Sequence, residues 1–374
     1  HTSHVCGIGQ LLGQSLGVGR LIVCAINADM QGEWAVLRDN LNELVAASGS
    51  VSGIAQRIAD GDLTVDRAGR CVAADGRAAP EGDPDRALGV DRETVGLDAV
   101  VLGIGTHATS LSPTGAHATP AAVREALRRY SPHAAGTQVD ALRVADAGDA
   151  VDADRDEDAA TAHVARAAGR ARLVIAIGGD NAATVPAALG SWGASIGTAG
   201  LITIDAHHDL RDGRSNGSPV RRLLEAGLDG RRVVQLGIQD FANSAEYAQR
   251  ARDAGITTIS RDELEQQPLA AIAARAVSIA AAAGGPVHLD VDVDACDRSV
   301  APGCPASTPG GLSAWQLRTL VRAIVGHAAV RSVDLAEVDA TADAEDGRTV
   351  RLTALCVLES LAGLAGRAVT APAS

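Results

Sequence analysis

Aromatic residues are nearly missing from this chain: three Trp, two Tyr and one Phe make up 2% of its 374 residues. Its hydrophobic content is an ordinary 46%, so the core must be built from Ala, Val, Leu and Ile. That composition suits α/β folds, whose central strands are aliphatic runs. Lysine is missing as well, and the 33 basic residues are arginines. Against 46 acidic residues they leave a net charge of −13. This argues against a general nucleic-acid or anionic-membrane surface, because Lys and Arg drive both attractions. The six cysteines, at 6, 24, 71, 296, 304 and 356, contain no Cys-x-x-Cys pair. No signal peptide is legible, and no apolar run approaches the roughly 18 residues of a membrane span. The expectation is a soluble, cytoplasmic protein with reduced thiols.

Periodicity divides the chain. From about residue 98 onward, short β-branched runs alternate with Ala/Leu/Arg stretches of helical period. The expected strands are Asp98–Ile104, Arg172–Ile177, Gly200–Asp205, Arg232–Gly237, Gly255–Ile259, Pro286–Val293 and Arg331–Glu337. Helices are expected between them, at 120–129, 156–170, 182–189, 218–227, 244–253, 262–283, 313–326 and 349–364. Strands joined by helical crossovers predict a three-layer α/β/α domain over 98–374, with a mostly parallel, doubly wound central sheet. Residues 1–97 read as a flexible extension of unknown role. Within it Leu21–Ile26 has a strand pattern, Glu33–Ala47 a helical one, and Asp60–Asp91 the Gly/Asp/Arg content of a loop. Its glycines at 7, 9, 13, 17 and 19 precede the strand, the wrong order for a dinucleotide fingerprint.

The chemistry concentrates at strand ends. Asp205-Ala206-His207-His208-Asp209 directly follows an apolar strand, and alternation projects Asp205, His207 and Asp209 to one side. His288-Leu289-Asp290-Val291-Asp292-Val293-Asp294 ends a second strand with three alternating Asp. Unpaired, such buried carboxylates cost several kcal/mol each by order of magnitude. Divalent cations resolve the repulsion, and mixed Asp/His ligation suits Mn or Zn better than calcium. Sites of open parallel sheets lie outside the carboxyl ends of the strands, where both clusters fall. Two weaker elements lie at the same edge. Gly178-Gly179-Asp180-Asn181 is a common strand-to-helix turn. Glu337, in Glu337-Val338-Asp339-Ala340-Thr341-Ala342-Asp343, either faces solvent, as a lone Glu more often does, or faces the pocket and holds a cationic amidine by a charge-assisted hydrogen bond.

In this order the four motifs resemble those of the arginase superfamily of ureohydrolases, and Ala301-Pro302-Gly303 with Pro309-Gly310-Gly311-Leu312 is similar to the loop after the third. Ser112-Pro113-Thr114-Gly115 with Pro120-Ala121-Ala122-Val123-Arg124 resembles the early substrate-side loop and helix. The resemblance implies two Mn2+ ions bridged by Asp205 and Asp292. Asp209 would complete one site, and His207 and Asp294 the other. Asn181 stands where a histidine ligand is usual and would bind weakly through its carbonyl oxygen, so one ion is expected to be loosely held. A water bridging the ions would be the nucleophile, with Asp209 and Glu337 catalytic. Trimers or hexamers are the family's usual assemblies.

Departures from the pattern point to a branch. Asn216, in Ser215-Asn216-Gly217-Ser218-Pro219, replaces the catalytic histidine of arginases and agmatinases. His207-His208-Asp209-Leu210-Arg211 and Asp346-Gly347-Arg348-Thr349 are similar to segments of formimidoylglutamases. The expected reaction is hydrolysis of N-formimidoyl-L-glutamate to glutamate and formamide, a step of histidine breakdown. Its two carboxylates need cations, and Arg211, Arg214, Arg221 and Arg222 surround the Asn216 loop. Arg211, Asn216 and Glu337 are the expected substrate contacts, with Arg211 favoured among the arginines. The alternatives are an agmatinase or guanidinobutyrase, acting on a guanidine, and a non-catalytic paralogue of the same fold.

Overall fold

The computed structural model describes residues 63–65, 71–73 and 96–367. The chain divides into two compact units, His1–Asp83 and Pro84–Ser374. In the first, β1 (Leu63–Val65) and β2 (Cys71–Ala73) pair antiparallel. Both strands lie inside the stretch that its composition marks as loop. The strand and helix expected at 21–26 and 33–47 lie outside the described residues.

The second unit is an eight-stranded, all-parallel sheet. Its strands are β3 (Leu97–Ile104), β4 (Val144–Asp149), β5 (Ala171–Gly178), β6 (Gly200–Ile204), β7 (Val233–Ile238), β8 (Thr257–Ser260), β9 (Val287–Asp292) and β10 (Val330–Ala336). Their spatial order is β4-β3-β5-β10-β9-β6-β7-β8. Seven of the eight are the strands expected from periodicity. The eighth, β4, reads Val-Ala-Asp-Ala-Gly-Asp and sits at an edge with mostly exposed side chains. No apolar alternation marks it, because it has only one neighbour to pack against.

Helices cover both faces. They are α1 (Thr119–Leu127), α2 (Glu157–Ala168), α3 (Thr184–Trp192), α4 (Pro219–Glu225), α5 (Ala245–Asp253), α6 (Arg261–Gln266), α7 (Leu269–Ala280), α8 (Ala314–Val325) and α9 (Arg348–Arg367). One buried cluster joins the sheet to α1 and α6–α9, and two others join it to α2–α5. The single helix expected at 262–283 is two. Pro268 forces Gln267 into an extended conformation (φ −127, ψ 150) and then caps α7. Helix α9 corrects the expectation about apolar runs, being long and apolar enough to cross a membrane by length and composition. Its apolar window is 78% buried within the fold, as a core helix is.

The fold places the four central strands, β5, β10, β9 and β6, side by side. Adjacent strands lie about 4.8 Å apart. Residues that follow their carboxyl ends therefore converge on one small volume although they are up to 160 positions apart in the chain.

Candidate metal centre

Strand β6 delivers Asp205, the turn after it His207 and Asp209, strand β9 Asp292, and the turn after that Asp294. Two sets of donor atoms result, each with all atoms within 4.8 Å of one another: Asp205, His207 and Asp294, and Asp205, Asp209 and Asp292. The turns are built to hold them. Asp205 Oδ1 accepts from the His207 backbone N–H at 2.7 Å, and Asp292 Oδ1 from the Asp294 N–H at 2.9 Å. Asp209 has φ +55 and Glu337 φ +59, a left-handed backbone that costs non-glycine residues of order 1 kcal/mol or more. Both side chains are thereby turned back toward the cluster.

The electrostatics are those of a cation site. All four carboxylates are buried. Burial, moderated by the His207 hydrogen bond and reinforced by Asp294, raises Asp205 to about 6. Burial and then neighbouring carboxylates push Asp209 and Asp292 well above their ordinary range. Burial disfavours the His207 imidazolium, yet Asp294 and Asp205 outweigh it and hold the ring protonated up to about 12. The His207 Nδ1 lies 3.2 Å from Asp294 Oδ2 and 3.4 Å from Asp205 Oδ1. Asp205 Oδ2 and Asp294 Oδ1 are buried without a hydrogen-bond partner. Unpartnered oxygens and excess negative charge fit divalent ions with O/N ligation.

His208 faces elsewhere, its Nδ1 2.7 Å from Gln235 Oε1. Asp290 is also buried, and neither of its carboxylate oxygens has a partner. It lies outside both donor sets.

Asn181 sits at the edge of the second set. Gly179 lets this turn approach the β3 exit, since a Cβ there would stand 2.0 Å from the Thr106 carbonyl oxygen. The Asn181 Nδ2 donates to Asp209 Oδ2 at 2.5 Å, and its Oδ1 accepts from Thr184 Oγ1 at 2.7 Å. The amide thus shows its nitrogen to the acidic cluster, where the sequence led us to expect the carbonyl oxygen. Asn216 Nδ2 donates to Glu337 Oε1, which also accepts from the Asn181 backbone N–H at 3.1 Å. Asn216 Oδ1 in turn accepts from the Leu111 N–H at 3.0 Å. Burial, then Asp294, raise Glu337 to about 8 against the hydrogen bond from Asn216.

A cavity of about 550 Å³ opens onto this cluster, lined by His207, Asp209, Arg211, Asn216, Asp292, Asp294 and Glu337 among others. That volume suits a small metabolite. The arginines around it sort clearly. Arg214 and Arg222 pair with Glu157, and Arg221 with Glu225. Arg211 has no ion pair among the described residues and lies 5.7 Å from the Tyr247 ring centroid. Tyr247, Asn243 and Ser244 complete its wall, and nothing in their sequence context marked them. Thr184 and Asp334 also escaped notice, although a lone Asp inside the apolar run of β10 was a visible signal. Cys296, Cys304 and Cys356 are buried and unbridged.

Residues 97–363 match the arginase family. A formimidoylglutamase of Halalkalibacterium halodurans is 31% identical over 286 residues, covering 70% of this chain and 86% of that protein. The crystal structure of Bacillus subtilis formimidoylglutamase superposes with a TM-score of 0.68 at 28% identity, over 77% of this chain and 95% of that one. Trypanosoma cruzi formiminoglutamase, solved with Mn2+, gives 0.66 at 27% identity, over 72% and 94%.

Proposed function

The chain belongs to the arginase family, and from that premise we propose that its pocket hydrolyses N-formimidoyl-L-glutamate to L-glutamate and formamide. The observation that carries this reading is Arg211. Among the described residues it is the one arginine lining the cavity, and it has no carboxylate partner there. A substrate carboxylate supplies the missing partner, and a guanidinium binds it through two parallel hydrogen bonds. A cationic tail such as that of agmatine would be repelled.

Asp205 and Asp292 would be shared by two Mn2+ ions, with Asp209 and the weaker Asn181 on one side and His207 and Asp294 on the other. When bound, such a pair supplies an acidified water as nucleophile near neutral pH. Glu337, held by Asn216 and the Asn181 N–H, accepts hydrogen bonds from the amidinium N–H groups; that cation beside it favours its ionised form. Asp209 orients the attacking water, which adds to the amidine carbon. The carbon–nitrogen bond to the glutamate amine then breaks. The departing nitrogen takes its proton from Asp209 or from solvent, since Asn216 offers no imidazole to shuttle one. Water and the amidine thus give formamide and the free amine.

One observation favours a second reading. A single unpaired arginine matches a single carboxylate, which is what 4-guanidinobutyrate carries. Hydrolysis of each compound by the Mn-supplemented chain separates the two, with formamide scored against urea. Formamide release should dominate by at least about tenfold in kcat/KM, and Arg211→Gln should raise KM roughly 10- to 100-fold with kcat little changed. Preferential urea release overturns the substrate assignment, and an unchanged KM removes Arg211 from it.

A further inference from the structure

Behind the acidic cluster, a chain of buried hydrogen bonds runs from β10 to Asp209. Ser332 Oγ lies 2.7 Å from His288 Nδ1, and His288 Nε2 lies 2.7 Å from Asp334 Oδ1. Thr184 Oγ1 is 3.1 Å from Asp334 Oδ2 and 2.7 Å from Asn181 Oδ1. Asn181 Nδ2 then reaches Asp209 Oδ2 at 2.5 Å. His288, Asp334, Thr184 and Asn181 are all fully buried, and Ser332 is 1% exposed, so no member can turn to water instead.

Counting hydrogens along this chain exposes a conflict. A threonine hydroxyl has one hydrogen and two lone pairs. Thr184 faces Asn181 Oδ1 and Asp334 Oδ2, with the Asp290 carboxyl also beside it, and its one hydrogen can serve only one of them. A carboxylate is the stronger acceptor, and His288 already donates to its other oxygen if Ser332 donates to His288 Nδ1. With the hydrogen given to Asp334, the lone pairs of Thr184 face Asn181, where an amide oxygen is repelled and an amide nitrogen is bound. A half-turn of the Asn181 amide about its terminal torsion puts the nitrogen there at small cost, since amide oxygen and nitrogen differ little in size. The carbonyl oxygen then faces Asp209. Two oxygens that close repel one another unless a cation lies between them, and Asp209 belongs to the donor set with Asp205 and Asp292.

We propose that Thr184, backed by Asp334, is a positioning residue that turns the Asn181 carbonyl oxygen toward the divalent ion of the Asp205–Asp209–Asp292 set. The inference rests on the two-ion reading above and extends it to residues that touch no ion. Asn181 has two arrangements. With its nitrogen on Asp209 it leaves Thr184 overcommitted; with its oxygen there it satisfies Thr184 and becomes a ligand. Thr184 therefore adjusts the affinity of one ion and leaves the His207 side alone.

Titration of the full-length protein with Mn2+, following free ion by electron paramagnetic resonance and bound ion by elemental analysis, tests this. The unsubstituted chain should bind one ion tightly and one weakly. Thr184→Val should weaken the weak ion roughly 10- to 100-fold, the usual scale for groups that orient a metal ligand, and leave the tight one unchanged. Thr184→Ser should restore the unsubstituted behaviour. Thr184→Ala, which removes the hydroxyl without adding a methyl group, provides the same reading if the valine variant does not fold. In an Asn181→Ala background Thr184→Val should have no further effect. Equal weakening of both ions, or a valine or alanine variant that titrates like the parent, overturns the role of Thr184. Uptake of fewer than two ions by the unsubstituted chain overturns the two-ion reading itself, and the inference with it.

Discussion

The two halves of the acidic cluster share Asp205 yet differ in the group that completes them. On one side His207 lies between Asp205 and Asp294, and the two carboxylates hold its ring protonated up to about 12. On the other side Asp209 accepts from the neutral amide of Asn181, and its set with Asp205 and Asp292 contains no histidine. Burial raises Asp209 and Asp292 well above their ordinary range, and neighbouring carboxylates add to it. A proton on imidazole does in part what a metal ion does, and imidazole is itself a strong ligand once that proton leaves. An amide does neither. The two sides thus differ by a single neighbouring side chain, a chargeable imidazole on one and a neutral amide on the other.

That comparison can be broken at its shared member first. Asp205→Ala should remove both ions and lower turnover more than about a thousandfold, since acidification of the nucleophile is lost with the metal. Retention of two bound Mn2+ by elemental analysis would falsify the shared role. A smaller change sharpens the contrast. Asn181→His should tighten the weaker ion roughly tenfold or more, because imidazole outranks an amide oxygen as a ligand for Mn2+. Metal titration reads this directly, and equal affinity in both forms would show that Asn181 is not what separates the two sides.

The smallest effect concerns pH. In the fold Asp205 keeps its proton to about 6 and Glu337 to about 8, against ordinary values of 3.8 and 4.5. The folded chain thus binds more protons than the unfolded one from about pH 4 to 8, and stability falls as pH rises through that window. His207, raised from 6.5, acts in the same direction above its unfolded value. Chelator-treated protein should lose roughly 3–6 °C of Tm between pH 5.5 and 8. Added Mn2+, which replaces the protons, should recover most of the loss. A Tm that climbs with pH in chelator would contradict the buried, carboxylate-rich character of the cluster.

Much of this was legible along the chain. Ala171–Gly178 and Gly200–Ile204 are aliphatic runs because both faces of a central parallel strand are covered. The alternation in Asp205-Ala206-His207-His208-Asp209 announced side chains gathered at one rim. What failed to show had physical reasons. Strand β4 lies at an edge and carries no apolar signature. The split between α6 and α7 turns on Pro268, inside an otherwise unbroken helical pattern. The orientation of the Asn181 amide depends on Thr184 and Asp334, and Asp334 is 150 residues from Thr184.

Residue types and their spacing were enough to specify a parallel α/β domain with an acidic, metal-seeking edge, because strand period and the cost of buried charge act locally. Which arginine stays unpaired, which way an amide points and which threonine stands behind it were not open to such reasoning. Those depend on partners brought together across the sheet, and hydrogen-bond geometry exists only after the strands have packed.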